Sequence, residues 1–202
     1  MHKYIVLVGL TCLALPAYGD VQTFENDYAG FVQAAGPLSM IDFNTLPDGN
    51  PSMGGEEITE AFNYDDQVVH FSAPFPYPVI GGNGPYDLRV SENDVDTWII
   101  ADAVIPASAI GAFFPGGTTL CAYDDSDALI ACVEYGDSGG GLFVGIVSDT
   151  PIHSATFSSG NSFEAIESFV FSPVPEPGTM SLIGGGLVML LGRGKRRRGS
   201  RA

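Results

Sequence analysis

A chain of 202 residues with 45% hydrophobic content is long enough for one domain with a real core. All 24 acidic side chains lie between Asp20 and Glu176, whereas the 8 basic ones sit at the two ends except for Arg89. Residues 20–173 therefore carry 23 acids against one base, net −22, which repels phosphate and excludes nucleic acid and anionic lipid as partners of the body.

Residues 1–19 read as a cleavable secretory signal peptide. Lys3 supplies a basic start, an apolar run spans Tyr4 to Leu15, and the small residues Ala17 and Gly19 precede Asp20. Cleavage after Ala17 is the alternative. Gly9-Leu10-Thr11 before Cys12 makes a poor lipobox, which argues against lipoprotein anchoring.

Residues 20–173 form the predicted domain. Phe24, Tyr28, Phe31, Val32 and Ala35 recur at helical spacing, with Thr23 as N-cap and Gly36-Pro37 as stop, so one short helix opens it. Short strands follow: Leu38–Asn44, Gln67–Ala73, Asp87–Ser91, Thr97–Ile100, Ser108–Phe114, Thr118–Tyr123, Leu129–Tyr135, Leu142–Ser148, Ile152–Ser158 and Ala165–Ser172. Turn signals separate them, among them Pro47-Asp48-Gly49, Pro115-Gly116-Gly117, Asp149-Thr150-Pro151 and Ser159-Gly160-Asn161. Many short strands at this pitch predict an all-β sandwich or barrel. Gly 26 and Pro 14, about a fifth of the chain, fall short of the roughly 25–30% of low-complexity disorder.

Within that domain, Phe75, Tyr77 and Tyr86 lie in a loop rich in proline and glycine, where aromatic faces could stack on a sugar; Tyr77 and Tyr86 are the ligand-binding candidates. Trp98, in the apolar stretch DTWII, reads as core. Glu92-Asn93-Asp94-Val95-Asp96 and Asp124-Asp125-Ser126-Asp127 offer the hard oxygens that calcium prefers, without the glycine and closing glutamate of an EF-hand. Asp42 and Glu167, on the first and last predicted strands, are further oxygen donors. No metal ligand set is assigned and no cofactor is expected, although structural calcium stays open. A hairpin centred on Ser126-Asp127 sets Cys121 opposite Cys132, within disulfide reach in an exported chain. Two free buried thiols are the alternative.

Gly136-Asp137-Ser138-Gly139-Gly140 spells the nucleophile motif of chymotrypsin-like serine proteases. A serine needs a base to take its proton and a third group to orient that base. Only His70 precedes Ser138 after the signal peptide, 68 residues away, too near for a histidine in one barrel and a serine in the next. His153 follows Ser138, as in α/β-hydrolases, but Gly139, Gly140, Gly141 and a strand stand where that fold needs a helix. The stretch reads as a glycine-rich turn and the chain as no enzyme, with a serine hydrolase using Ser138 as the alternative.

Residues 174–202 form a third segment, in three parts. Pro175-Glu176-Pro177 comes first, then an apolar run from Thr179 to Gly192, then a basic cluster ending in Arg201. The prolines cannot continue a helix and keep Glu176 in an extended, accessible segment. The apolar run reads as a short transmembrane helix whose basic end stays cytoplasmic. This order resembles the PEP-CTERM sorting signal of Gram-negative bacteria, a tail also labelled as an ice-binding-protein C-terminus; no residue here argues for ice binding. A plain membrane anchor is the alternative.

The resemblance implies an exosortase as partner, cleavage near the PEP motif, and release to or attachment at the cell surface. It implies association with exopolysaccharide and biofilm. The body is similar to other PEP-CTERM proteins in order: a helix, Ile41–Asn44, Ala109–Phe114, a hairpin, Phe143–Ile152 and a last strand. That order implies a jelly-roll-like β-sandwich with one N-terminal helix, resembling carbohydrate-binding modules. The functional expectation is a non-catalytic surface or matrix protein facing polysaccharide, or a structural coat without a specific ligand.

Overall fold

The computed structural model describes residues 20–74, 77–82, 86–91, 97–136, 141–160 and 163–174. The signal peptide, Phe75, Glu92–Asp96, Ser138 and the tail from Pro175 onward lie outside the described residues.

Eleven described strands and one α-helix follow in order: β1 Val21–Glu25, α1 Tyr28–Ala35, β2 Ser39–Ile41, β3 Val69–Ser72, β4 Val79–Gly81, β5 Asp87–Ser91, β6 Trp98–Phe114, β7 Thr118–Tyr123, β8 Leu129–Tyr135, β9 Leu142–Ser158, β10 Phe163–Ile166 and β11 Ser168–Pro173. Every pairing among them is antiparallel.

Two 17-residue strands organise the sandwich. The first half of β6 pairs with β3 and with the second half of β9, which also pairs with β7 and, through it, β8. The second half of β6 pairs with β11 and with the first half of β9, which also carries β1. β2 completes that side by pairing with β11. Both long strands thus run from one leaf into the other. The β6–β9 register shifts between Asp102 and Ala107 and again before Ala109, where Pro106 interrupts the ladder. Bulges of this kind let a strand change sheets.

Two sequence expectations are corrected here. Thr97–Ile100 and Ser108–Phe114 are one strand, and so are Leu142–Ser148 and Ile152–Ser158. Asp149-Thr150-Pro151 does not turn the chain. Ser148 Oγ accepts from Thr150 N at 3.0 Å, Asp149 N donates to Asp20 O at 3.1 Å, and β9 bends and continues. Conversely, the single strand expected at Ala165–Ser172 breaks at Glu167 into β10 and β11.

Inner residues of both leaves meet in one cluster that includes Phe43, Phe71, Ile99, Ile110, Leu120, Val144, Phe157 and Phe169. A second cluster of Phe31, Ala109, Phe143 and Val170 lies on the other face of the β11–β6–β9 leaf, under α1. Gly111 and Gly145 face each other across β6 and β9 on that side. A Cβ on Gly145 would come within 2.6 Å of the Phe31 ring, so the glycine makes room for the helix.

The helix itself starts later than its periodicity suggests. Phe24 belongs to β1, and Asp27, not Thr23, is the N-cap, its carboxylate accepting from Gly30 N at 2.9 Å. Gly36, at φ 74°, ends it by donating its N–H to Val32 O at 3.2 Å.

Cys121 lies opposite Cys132 in the β7–β8 register, and the sulfurs are bonded at 2.04 Å. Cys132 is on the exposed side of an edge strand, so the bond clips the hairpin from outside the core. The two are 11 residues apart in sequence. Closing a loop of this size stabilises by roughly 2–3 kcal/mol through the unfolded chain. Replacing both cysteines with serine is expected to lower the urea midpoint by a corresponding amount. An unchanged midpoint would mean the hairpin is fully ordered without the link.

Candidate functional site

A cleft of about 230 Å³ opens at one end of the sandwich, where residues 115–117 join β6 to β7 and residue 159 leaves β9. Gly116, Gly117, Ser159, Phe163 and Glu164 are among its walls. A small sheet of β10, β5 and β4 places two of these. In it Ile80, Leu88 and Ile166 are paired and buried, and Glu164 pairs with buried Val90. Glu164 therefore shares the core-facing side of the sheet and is only 2% exposed. Its neighbour Phe163 points the other way and is 42% exposed.

Burial pushes the Glu164 carboxyl up to about 7, against the opposing pull of the Thr118 hydroxyl, the Ala165 N–H and Ser159. The Thr118 hydroxyl is near enough to act on the carboxyl, but Thr118 Oγ1 and Glu164 Oε2, both buried, make no hydrogen bond of good geometry. A hydrogen bond from Ser159 Oγ to Phe163 O at 2.6 Å ties the intervening loop. The Arg89 guanidinium stands 5.8 Å from the centre of the Phe163 ring, itself held by two 2.6 Å bonds to Asp87.

The buried carboxyl has a measurable consequence. A carboxyl whose folded pKa lies above its unfolded one stabilises fully below the unfolded value and loses that contribution as pH rises through the folded value. Here the window runs from 4.5 to about 7. The loss is on the order of 3 kcal/mol at about 1.4 kcal/mol per unit. Comparing thermal stability at pH 5 and pH 8 is expected to show a decline that is smaller in Glu164→Gln. Equal declines in the two proteins would mean the carboxyl is solvated.

The residues that the sequence singles out fall partly around this cleft and partly elsewhere. Tyr77 is 52% exposed and lies two residues before β4. The register Val79–Arg89–Ala165, with Ser91 opposite Phe163, puts it at the same end of the small sheet as Phe163. Tyr86 packs partly buried against the core, with its ring against Gly54 and its backbone N–H on Asn44 Oδ1 at 3.4 Å. Trp98, expected in the core, is 37% exposed, because β6 buries Ile99 and Ala101 instead. Phe163 and Glu164 escape a reading of the sequence that starts the last strand at Ala165.

His70 and His153 lie half-buried on β3 and β9. His70 Nδ1 is 2.9 Å from Asp65 Oδ1, its Nε2 is 3.4 Å from Glu60 Oε2, and Asp102 is its cross-strand partner. Asp124 serves its own hairpin: its Oδ1 accepts from Ser126 N, Ser126 Oγ and Ala128 N at 2.7–2.9 Å. The Ser126 hydroxyl is the chief cause holding that carboxyl below its usual value. Asp42 and Glu167 fall just beyond β2 and between β10 and β11, not on the strands themselves. No group of three or more His, Cys, Asp or Glu that could hold a metal is found among the described residues. Nor is any helix there long and apolar enough to cross a membrane.

The described residues thus define an antiparallel, all-β sandwich with a cleft at one end. Residues 173–198 match the PEP-CTERM protein-sorting motif, and the chain carries that motif immediately after β11. Among solved structures, the chain is similar to the family 32 carbohydrate-binding module of C. perfringens NanJ in complex with galactose. The identity is 12% and the TM-score 0.38, with 52% of this chain and 95% of that one covered. It is also similar to the lectin domain of lectinolysin complexed with Lewis B antigen, at 7% identity and TM-score 0.36, covering 70% of this chain and 96% of that one. A fucose-binding module from Streptococcus pneumoniae gives 10% identity and TM-score 0.33, with 69% and 93% covered. No curated protein matches the chain.

Proposed function

We propose that this is an exported, non-catalytic surface or extracellular-matrix protein, sorted by an exosortase through Pro175, Glu176 and Pro177, whose jelly-roll-like body faces extracellular polysaccharide. The sorting motif at residues 173–198 carries the reading. The domain ends where that motif begins: Pro173 closes β11, and Val174 N donates to Pro106 O at 2.7 Å. The Thr179–Gly192 run anchors the chain in the inner membrane until processing, and the body is then released to or attached at the cell surface.

The other end supports signal-peptide removal before Asp20. Asp20 N lies 3.1 Å from Asp149 Oδ2. Cleavage there makes that nitrogen an α-ammonium, which the Asp149 carboxylate is placed to accept.

The test is the intact mass of the protein recovered from its native host. The expected chain begins at Asp20, ends near Pro175–Pro177 and lacks two hydrogens for Cys121–Cys132. A mass that retains Thr179–Ala202 would make the tail a simple anchor and remove the basis for surface sorting.

A further inference from the structure

We propose that the cleft beside Glu164 and Phe163 is a subsite for a single neutral sugar residue. This rests on the polysaccharide-facing reading above and narrows it to one place. Size comes first: about 230 Å³ is below the roughly 300–1,000 Å³ of pockets for drug-sized ligands and suits one pyranose ring.

The chemistry of the walls agrees. A sugar presents apolar C–H faces and a rim of hydroxyl donors. Phe163 offers an exposed aromatic face for the first, with Arg89 fixing its position. Glu164, a wall of the cleft whose Oε2 is buried without a hydrogen-bond partner, is an acceptor for the second. Leaving such an atom unpaired is costly, so a hydroxyl that reaches it gains more than it would at an exposed carboxylate. Gly116 and Gly117 add backbone groups with no side chain in front of them.

Charge selects within the class. A body of net −22 disfavours uronic acids and sulfated or phosphorylated sugars and leaves neutral ones. The arrangement binds but does not cut, because glycoside hydrolysis uses a pair of carboxyl groups flanking the bond, and Glu164 is the one carboxyl among the described walls.

The test uses the full chain in a zwitterionic detergent free of sugar headgroups. D-Glucose, D-galactose, D-mannose and N-acetyl-D-glucosamine are titrated, with saturation-transfer NMR and calorimetry as readouts and calcium chloride as a separate probe. At least one sugar is expected to bind with Kd on the order of 1 mM, as befits a ligand of one ring. Phe163→Ala and Glu164→Gln are each expected to weaken it about tenfold or more while unfolding cooperatively. Sugar or polysaccharide binding untouched by both substitutions would overturn the subsite and leave the polysaccharide reading standing. Wild-type protein that binds neither these sugars nor its host's polysaccharide would overturn both. Stabilisation by calcium that Glu164→Gln abolishes, with no response to sugar, would make the cleft a cation site and also overturn the proposal.

Discussion

Truncating Phe31 to alanine is expected to destabilise the protein by about 3–5 kcal/mol, the usual cost of deleting a buried ring. In a domain of this size that corresponds to a fall in Tm of roughly 10 °C. Phe31 is the buried residue of α1, fully enclosed, with ring centroids at 5.0 Å from Phe143 and 5.6 Å from Phe24. An eight-residue helix is far too short to persist alone, so it depends on this anchor and on the Asp27 cap. The cavity left by alanine would open onto Gly145, which has no side chain to fill it. Urea or thermal unfolding measures the loss, and a change below about 1 kcal/mol would mean the helix is held otherwise. A second measurement isolates the packing. Gly145→Ala forces a Cβ to within 2.6 Å of the Phe31 ring and 2.9 Å of the Phe143 ring, and the first of these clashes disappears once Phe31 is truncated. The two substitutions together are therefore expected to cost less than their separate costs added.

Replacing Pro175, Glu176 and Pro177 together by alanine is expected to abolish tail processing in the native host. The chain should then be found in the inner membrane with Thr179–Ala202 intact. Prolines cannot continue a helix, whereas alanine is the best helix former. The variant would favour helix through the Pro175–Pro177 segment and would also remove the carboxylate proposed to mark the site. Glu176→Gln separates these effects, since it keeps both prolines and deletes only the charge. Intact mass and membrane fractionation decide the matter. A triple variant that is still cut and released would show that Pro175–Pro177 do not direct sorting.

The parts of the fold readable in the residues are those decided within a dozen positions. The strand bounds Thr118–Tyr123 and Leu129–Tyr135 and the Cys121–Cys132 pairing are readable, because a two-residue period flanks a polar tip; the turn itself closes over Asp124–Asp127 rather than centring on Ser126-Asp127, and the register shifts after Ala122. β5 is readable for similar reasons. The long strands are not. Proline-containing stretches at Pro106 and Asp149-Thr150-Pro151 carry the same local chemistry whether a chain reverses or bends and carries on. Only their pairing partners, distant in sequence, decide between the two.

The cleft shows the same limit. A glutamate between Phe163 and Ala165 looks like the exposed member of an alternating strand. Pairing with Val90 in a separate small sheet is what turns Glu164 inward. Tyr77 stands out in the sequence because aromatic residues in loops are conspicuous. Trp98 does not betray its exposure, because a run of apolar neighbours hides which of them face out. The sorting tail needs no fold to be recognised, since its three parts are contiguous.

The place where the tail leaves the domain governs how it carries load. β11 is an interior strand, flanked by β2 on one side and β6 on the other, and Val174 is bonded to Pro106 at the exit. A protein tethered by this end feels drag from moving fluid first in β11. An edge strand under such tension can be unzipped one hydrogen bond at a time. A strand with neighbours on both sides must slide past both ladders together, so resistance to pulling is built into the attachment point itself.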